Sequence, residues 1–148
     1  VVGVGNPLRA DDGVGCRIAG ALADACRHGT LSQRDGLTVV DAEDVPENFL
    51  GVVTAARPDV VLFVDSANLG ASPGSSALLD AAALEDVGAC THRTPLRLTA
   101  SLIERLTGAA VLLLAVQPAS IDWGEPMSEP VAASADHLTA LLQEALAC

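Results

Sequence analysis

Three polar positions in this chain have the residue types and placement for metal-assisted chemistry. Asp12 follows the glycine-rich stretch Gly3-Val4-Gly5-Asn6-Pro7-Leu8-Arg9-Ala10-Asp11, and Gly13-Val14-Gly15 comes after it. Asp65 ends the apolar run Val60-Val61-Leu62-Phe63-Val64, and His92 stands in Thr91-His92-Arg93-Thr94-Pro95-Leu96. Two carboxylates and an imidazole make a mixed oxygen and nitrogen set suited to a divalent first-row metal such as nickel, zinc or manganese, with coordination positions left open. Plainer readings exist for each. Asp65 could cap a turn, His92 could bond a backbone carbonyl, and Asp11-Asp12 could be a helix cap beside a solvated neighbour. One carboxylate suffices for that cap, which leaves the other to face a ligand or metal. No Ser-His-Asp or Cys-His pair suggests itself, so a covalent acyl-enzyme is disfavoured.

The elements that must position these residues follow from hydrophobic periodicity. Val1 to Val4 predicts a first strand, and Val14, Ile18, Ala21, Leu22 and Ala25 predict a helical stripe ending near His28-Gly29. Leu37 to Val40 predicts a short second strand ending at Asp41, and Glu47 to Arg57 a helix closed by Pro58. Val60 to Val64 is the strongest strand signal, of the kind buried on both faces. Ser75 to Leu79 predicts a further short strand, and Asp80 to Cys90 a helical turn or loop. A helix is expected to start near Thr94 or Pro95, with Leu98, Leu102, Ile103 and Leu106 as its apolar pattern. Ala109 to Val116 predicts the last core strand. Pro130 to Ala147 predicts a terminal helix with Val131, Leu138, Leu141, Leu142 and Leu146 inward. Strands alternating with helices imply a three-layer α/β sandwich with a mostly parallel sheet. In such sheets ligands collect beyond the carboxyl ends of the strands, where strand order reverses. If the first and third strands are neighbours, Asp12 and Asp65 meet in one crevice, and the His92 loop is long enough to reach it.

Composition narrows the rest. A length of 148 residues fits one domain, residues 1–148, with a core of ordinary size. Half the residues are apolar, yet there are only two Phe, one Trp and no Tyr, so the core must be Val, Leu, Ile and Ala. The formal net charge of -11 makes nucleic acid and anionic membrane poor partners. Cys16, Cys26, Cys90 and Cys148 show no C-x-x-C spacing, which argues against a structural zinc site and for reduced thiols in the cytoplasm. Cys90 is expected to pack, and His28 and His137 to lie on the solvated surface. No signal peptide or membrane span is visible. The chain opens in an apolar strand without Met, so residues are expected upstream of Val1. A monomer fits the absence of an obvious apolar patch in the pattern.

Taken together, Gly3 to Gly15, Val64-Asp65-Ser66-Ala67, Thr91 to Leu96 and Val116-Gln117-Pro118 resemble the hydrogenase maturation endopeptidases, and they occur in that family's order and spacing. Pro46-Glu47-Asn48 further resembles the branch serving formate-linked hydrogenases. The resemblance implies an α/β/α sandwich with a five-stranded, mostly parallel sheet and one antiparallel edge strand, which Ser75 to Leu79 would supply. It implies an aspartic-type endopeptidase that removes the C-terminal extension of a nickel-iron hydrogenase large-subunit precursor after nickel insertion. Carried over by position, Asp12, Asp65 and His92 are the metal-binding and catalytic residues. Gly5, Asn6, Asp41 and Gln117 are assigned to substrate contact. Nickel arrives with the substrate, held by its cysteines, and zinc or cadmium can stand in for it. The metal either polarises the scissile carbonyl or a water, or it only positions the tail while an aspartate acts as general base. Ala42-Glu43 departs from the pattern, because relatives commonly carry glycine there, and a less flexible loop is expected. Two other functions stay open: a nucleotide-binding or regulatory α/β module using the first loop for phosphate, and a binder of the precursor that does not cut it. Against the first, the third glycine is misplaced for a dinucleotide fingerprint, and Asp11-Asp12 would repel a pyrophosphate.

Overall fold

Two neighbouring parallel strands, whose onward connections run to opposite edges of the sheet, organise the chain. In the computed structural model, which describes residues 1–31, 36–80 and 93–147, β1 (Val2–Gly3) leads through a 3-10 turn (Ala10–Gly13) into α1 (Val14–Arg27). β2 (Val40–Asp41), a second 3-10 turn (Pro46–Phe49), α2 (Leu50–Ala55) and β3 (Val60–Ser66) follow. β4 (Ser76–Asp80), α3 (Arg93–Thr107), β5 (Ala110–Val116) and α4 (Glu129–Ala147) complete the described elements. They form a five-stranded sheet in the order β2-β1-β3-β5-β4. β1 pairs in parallel with both β2 and β3, and β3 with β5. The edge strand β4 runs antiparallel to β5, in the register Leu78 to Leu114. The mixed sheet implied by the resemblance is therefore the one observed.

Helices cover both faces. Val53 from α2 and Leu96, Ala100 and Ile103 from α3 pack with Val61, Phe63, Val111 and Leu113. On the opposite face Val14, Ile18 and Leu22 from α1 and Val131, Ala135 and Leu138 from α4 pack with Val64, Leu114 and Val116. The period-2 alternation of β3 thus sends Val61 and Phe63 to one layer and Val64 to the other. Because β1 has β2 on one side and β3 on the other, the chain reverses direction across the sheet between β1 and β3. In doubly wound sheets a point of this kind, beyond the strands' carboxyl ends, is where ligands bind.

Several expected boundaries differ. The second strand is Val40–Asp41 rather than Leu37 to Val40, since the described β1 offers only Val2 and Gly3 as partners. The predicted helix from Glu47 is a 3-10 turn followed by the shorter α2, with Pro46 opening the turn. Arg57, at φ +48, ends the helical path before Pro58. On α3 the buried residues are Leu96, Thr99, Ala100 and Ile103, while Leu98, Leu102 and Leu106 are exposed. A threonine within the true inward stripe masked it in the sequence. On α4, Leu141 is exposed rather than inward. The segment from residue 81 to Cys90 lies outside the described residues.

Close packing of α1 on the sheet depends on a missing side chain. A Cβ placed on Gly15 would lie 2.1 Å from the Val64 carbonyl oxygen and 2.2 Å from that of Val4. Both obstacles are backbone and cannot swing away. Gly15→Ala is therefore expected to cost on the order of 3 kcal/mol or more through overpacking. Denaturant melts of the variant check this, and a midpoint equal to wild type would contradict it.

Candidate active site

Asp12 and Asp65 come from elements far apart in sequence and are both fully buried. Ser66 joins them. Its Oγ donates to Asp12 Oδ1 at 3.0 Å, and its backbone N–H donates to Asp65 Oδ1 at 2.8 Å. Asp12 Oδ2 accepts the Asn6 backbone N–H at 3.2 Å. A carboxylate stripped of water is tolerated only with such donors. Carboxylate oxygens are the ligand type that suits a hard divalent cation. The carboxyl ends of β1 and β3 thus bring two of the three expected residues together around Ser66. His92 lies outside the described residues, immediately before α3, whose Leu96 shares a core cluster with Phe63. Among the described residues no group of three or more His, Cys, Asp or Glu is gathered for a metal ion.

Neither acidic residue caps a helix, contrary to expectation: the 3-10 turn and α1 begin without a side-chain cap. Asp11 has a different task. Its fully buried carboxylate accepts from the Ala119 N–H (2.7 Å), the Ser120 N–H (3.2 Å), the Ser128 N–H (2.7 Å) and the Ser128 hydroxyl (2.9 Å). Its own N–H donates to the Ser120 carbonyl at 3.1 Å. Asp11 therefore fastens the loop between β5 and α4 against the glycine-rich loop, while its neighbour Asp12 faces Ser66.

The residues assigned to substrate contact are held largely by the protein itself. The Gly5 N–H donates to the Glu43 carbonyl at 2.8 Å, and at φ +134 its missing Cβ would strike the Asp12 carbonyl oxygen. Asn6 Nδ2 donates to Asp44 at 3.0 Å, and its Oδ1 accepts the Leu8 N–H at 2.9 Å. Gln117 Oε1 accepts the Leu69 N–H at 2.7 Å, bracing the loop that follows Ser66. Asp41 ends β2 and is exposed. Glu43 adopts φ +48, a left-handed conformation that glycine takes freely, so its side chain stands in a backbone shape made for glycine. The amides of Gly5, Asn6, Leu8, Arg9, Asp11 and Asp12 all donate within the chain, and Pro7 has none. The loop has no ring of free N–H groups to cradle a phosphate, which removes the physical basis of the nucleotide-binding alternative.

Cys16, in the first turn of α1, lies beneath this assembly. Its Sγ–H donates to the Gly5 carbonyl at 3.2 Å. Burial, and then the nearby negative charges of Asp41, Glu43 and Asp65, push the thiol above its ordinary 9.0. That shift favours the protonated thiol and works against its use as a nucleophile. The linkage has a definite sign. The unfolded thiol ionises above about pH 9 while the folded one holds its proton, so stability is fully present below that pH and falls above it. The slope reaches about 1.4 kcal/mol per pH unit. Urea melts of wild type and Cys16→Ala between pH 8 and about 10.5 should show that slope in wild type alone. Equal slopes would contradict it.

Buried acidic residues thus lie together at the switch point of a doubly wound α/β domain. The chain belongs to the hydrogenase maturation protease family (HycI), whose profile matches residues 22–145. Its activity is accordingly that of an endopeptidase, processing the C-terminus of the [NiFe] hydrogenase large subunit. The chain is 28% identical over 129 residues to the hydrogenase 3 maturation protease of Escherichia coli K12, covering 86% of this chain and 78% of that protein. It is also similar to the crystal structure of a [NiFe] hydrogenase maturation protease from Thermococcus kodakarensis, with 32% identity and a TM-score of 0.83, covering 98% and 89% of the two chains. The solution structure of the E. coli endopeptidase HycI matches with 26% identity and a TM-score of 0.81, over 97% and 87%. No helix among the described residues is long and apolar enough to cross a membrane.

Proposed function

We propose that Asp12, Asp65 and His92 complete the coordination of nickel carried in by the large-subunit precursor, and that cleavage proceeds without an enzyme nucleophile. The observation that carries this is Ser66, whose hydroxyl and N–H hold both carboxylates at the carboxyl ends of β1 and β3. Ser66 keeps the two acidic side chains oriented, so that little reorganisation accompanies metal arrival. The bound nickel, part of the substrate, acts as a Lewis acid on the scissile carbonyl or on a water. The raised Cys16 thiol fits this route, because a thiol held toward its protonated form is a poor nucleophile.

The same coordination is the specificity check, because a precursor without metal cannot complete the shell. The similarity to the hydrogenase 3 maturation protease favours a formate-linked hydrogenase as the client. The free thiols of Cys16 and Cys26 fit a cytoplasmic protein, and we assign it a monomeric working state. Incubation with nickel-loaded and nickel-free precursor tests the account. Only the loaded form should yield a shortened large subunit, and equal cleavage of both forms would overturn it.

A further inference from the structure

Resting on that function, we infer that Leu8, Arg9 and Trp123 form the seat for the precursor's polypeptide beside its cleavage point. Trp123 is the chain's single tryptophan. It is 67% exposed, as is Leu8. A cleft of about 660 Å³ lies between them, lined by Pro7, Leu8, Trp123, Gly124, Glu125 and Pro126. Exposed aromatic and aliphatic side chains facing each other across a cleft are what a binding anchor needs.

This exposure is built rather than loose. The Gly124 N–H donates to the Leu8 carbonyl at 2.9 Å, and Asp11 grips the same loop at Ala119, Ser120 and Ser128. The Arg9 guanidinium lies 5.5 Å from the centre of the Trp123 ring, fixing the indole. Arg9 Nε is buried and, among the described residues, has no acceptor. With that atom covered, what Arg9 gives the site is its contact with the indole.

The occupant that fits is an extended polypeptide, with an apolar side chain to fill the cleft between Leu8 and Trp123. Position selects the precursor. Pro7 and Leu8 directly follow Asn6, whose N–H holds Asp12, so a chain presenting its metal to Asp12 passes over them. The formal charge of -11 disfavours a phosphorylated or nucleic-acid occupant.

The single tryptophan makes the test direct. Enzyme labelled with 5-fluorotryptophan is titrated with unlabelled nickel-loaded precursor and followed by fluorine NMR, while wild type, Trp123→Ala, Trp123→Phe and Arg9→Ala are compared in processing kinetics. The Trp123 resonance should move on addition of precursor. The Trp123→Ala and Arg9→Ala variants should raise KM roughly tenfold or more with kcat little changed, and Trp123→Phe should recover part of the loss. An unmoved resonance while wild type cleaves, a wild-type KM in Trp123→Ala, or a resonance that shifts with enzyme concentration alone would overturn the assignment. Failure of wild type to cleave loaded precursor would instead count against the function on which it rests.

Discussion

Replacing Asp12 with asparagine is expected to give a folded protein that no longer processes its precursor. The substitution keeps the volume of a fully buried side chain and retains an oxygen to accept from Ser66 or Asn6. It removes the negative charge. A neutral amide oxygen is a far poorer ligand for a divalent cation than a carboxylate. Loss of groups that merely orient a metal ligand costs about 10–100-fold. Loss of the ligand's charge should exceed that, so a fall of at least about a hundredfold in kcat/KM is expected. Near-native melting with absent cleavage, read from circular dichroism and a gel-shift assay on one preparation, would meet the expectation. Substantial processing by the variant would not.

The neighbouring substitution should behave in the opposite way. Asp11→Asn leaves Asp12 untouched but places an NH2 group where a carboxylate oxygen accepts N–H and O–H donors from Ala119, Ser120 and Ser128. Donors then face donors inside a fully buried site. Each buried polar group left unmatched costs about 1–3 kcal/mol, so a loss of roughly 3 kcal/mol is expected. In a chain of this size that lowers the melting temperature by roughly 10 °C. Well below that transition the variant should still cut precursor, with KM affected more than kcat because the Trp123 wall is loosened. Two adjacent aspartates thus separate stability from chemistry, and the melting curves and rates of the pair check it. An unshifted melting temperature in Asp11→Asn would contradict the fastening role.

The parts of this account legible in the sequence are those set by local chemistry. The run Val60 to Val64 could only be a buried strand, and an aspartate at its end had to lie at the sheet's carboxyl edge. That the first and third strands are neighbours was a condition of the reading, and the parallel pairing of β1 with β3 meets it. What could not be read depends on partners distant in the chain. Either of Asp11 and Asp12 could have been a helix cap, because the donors to the Asp11 carboxylate lie more than a hundred residues later, at Ala119 to Ser128. Ser66 was visible in the motif Val64 to Ala67, but nothing local shows that its hydroxyl reaches Asp12. The inward face of α3 was misassigned because three leucines at i, i+4 and i+8 form as good a stripe as the buried one containing Thr99. Trp123 carried a usable signal, a lone indole in a polar loop of a chain with almost no aromatics.

Nickel K-edge absorption on precursor carrying an uncleavable tail tests the central claim most directly, recorded alone and with each of wild type, Asp12→Asn, Asp65→Asn and His92→Ala. Wild type is predicted to add oxygen and nitrogen scatterers to the metal's first shell, and each substitution to remove part of that change. A nickel spectrum unaltered by wild-type enzyme, under conditions where the enzyme is bound, would contradict it.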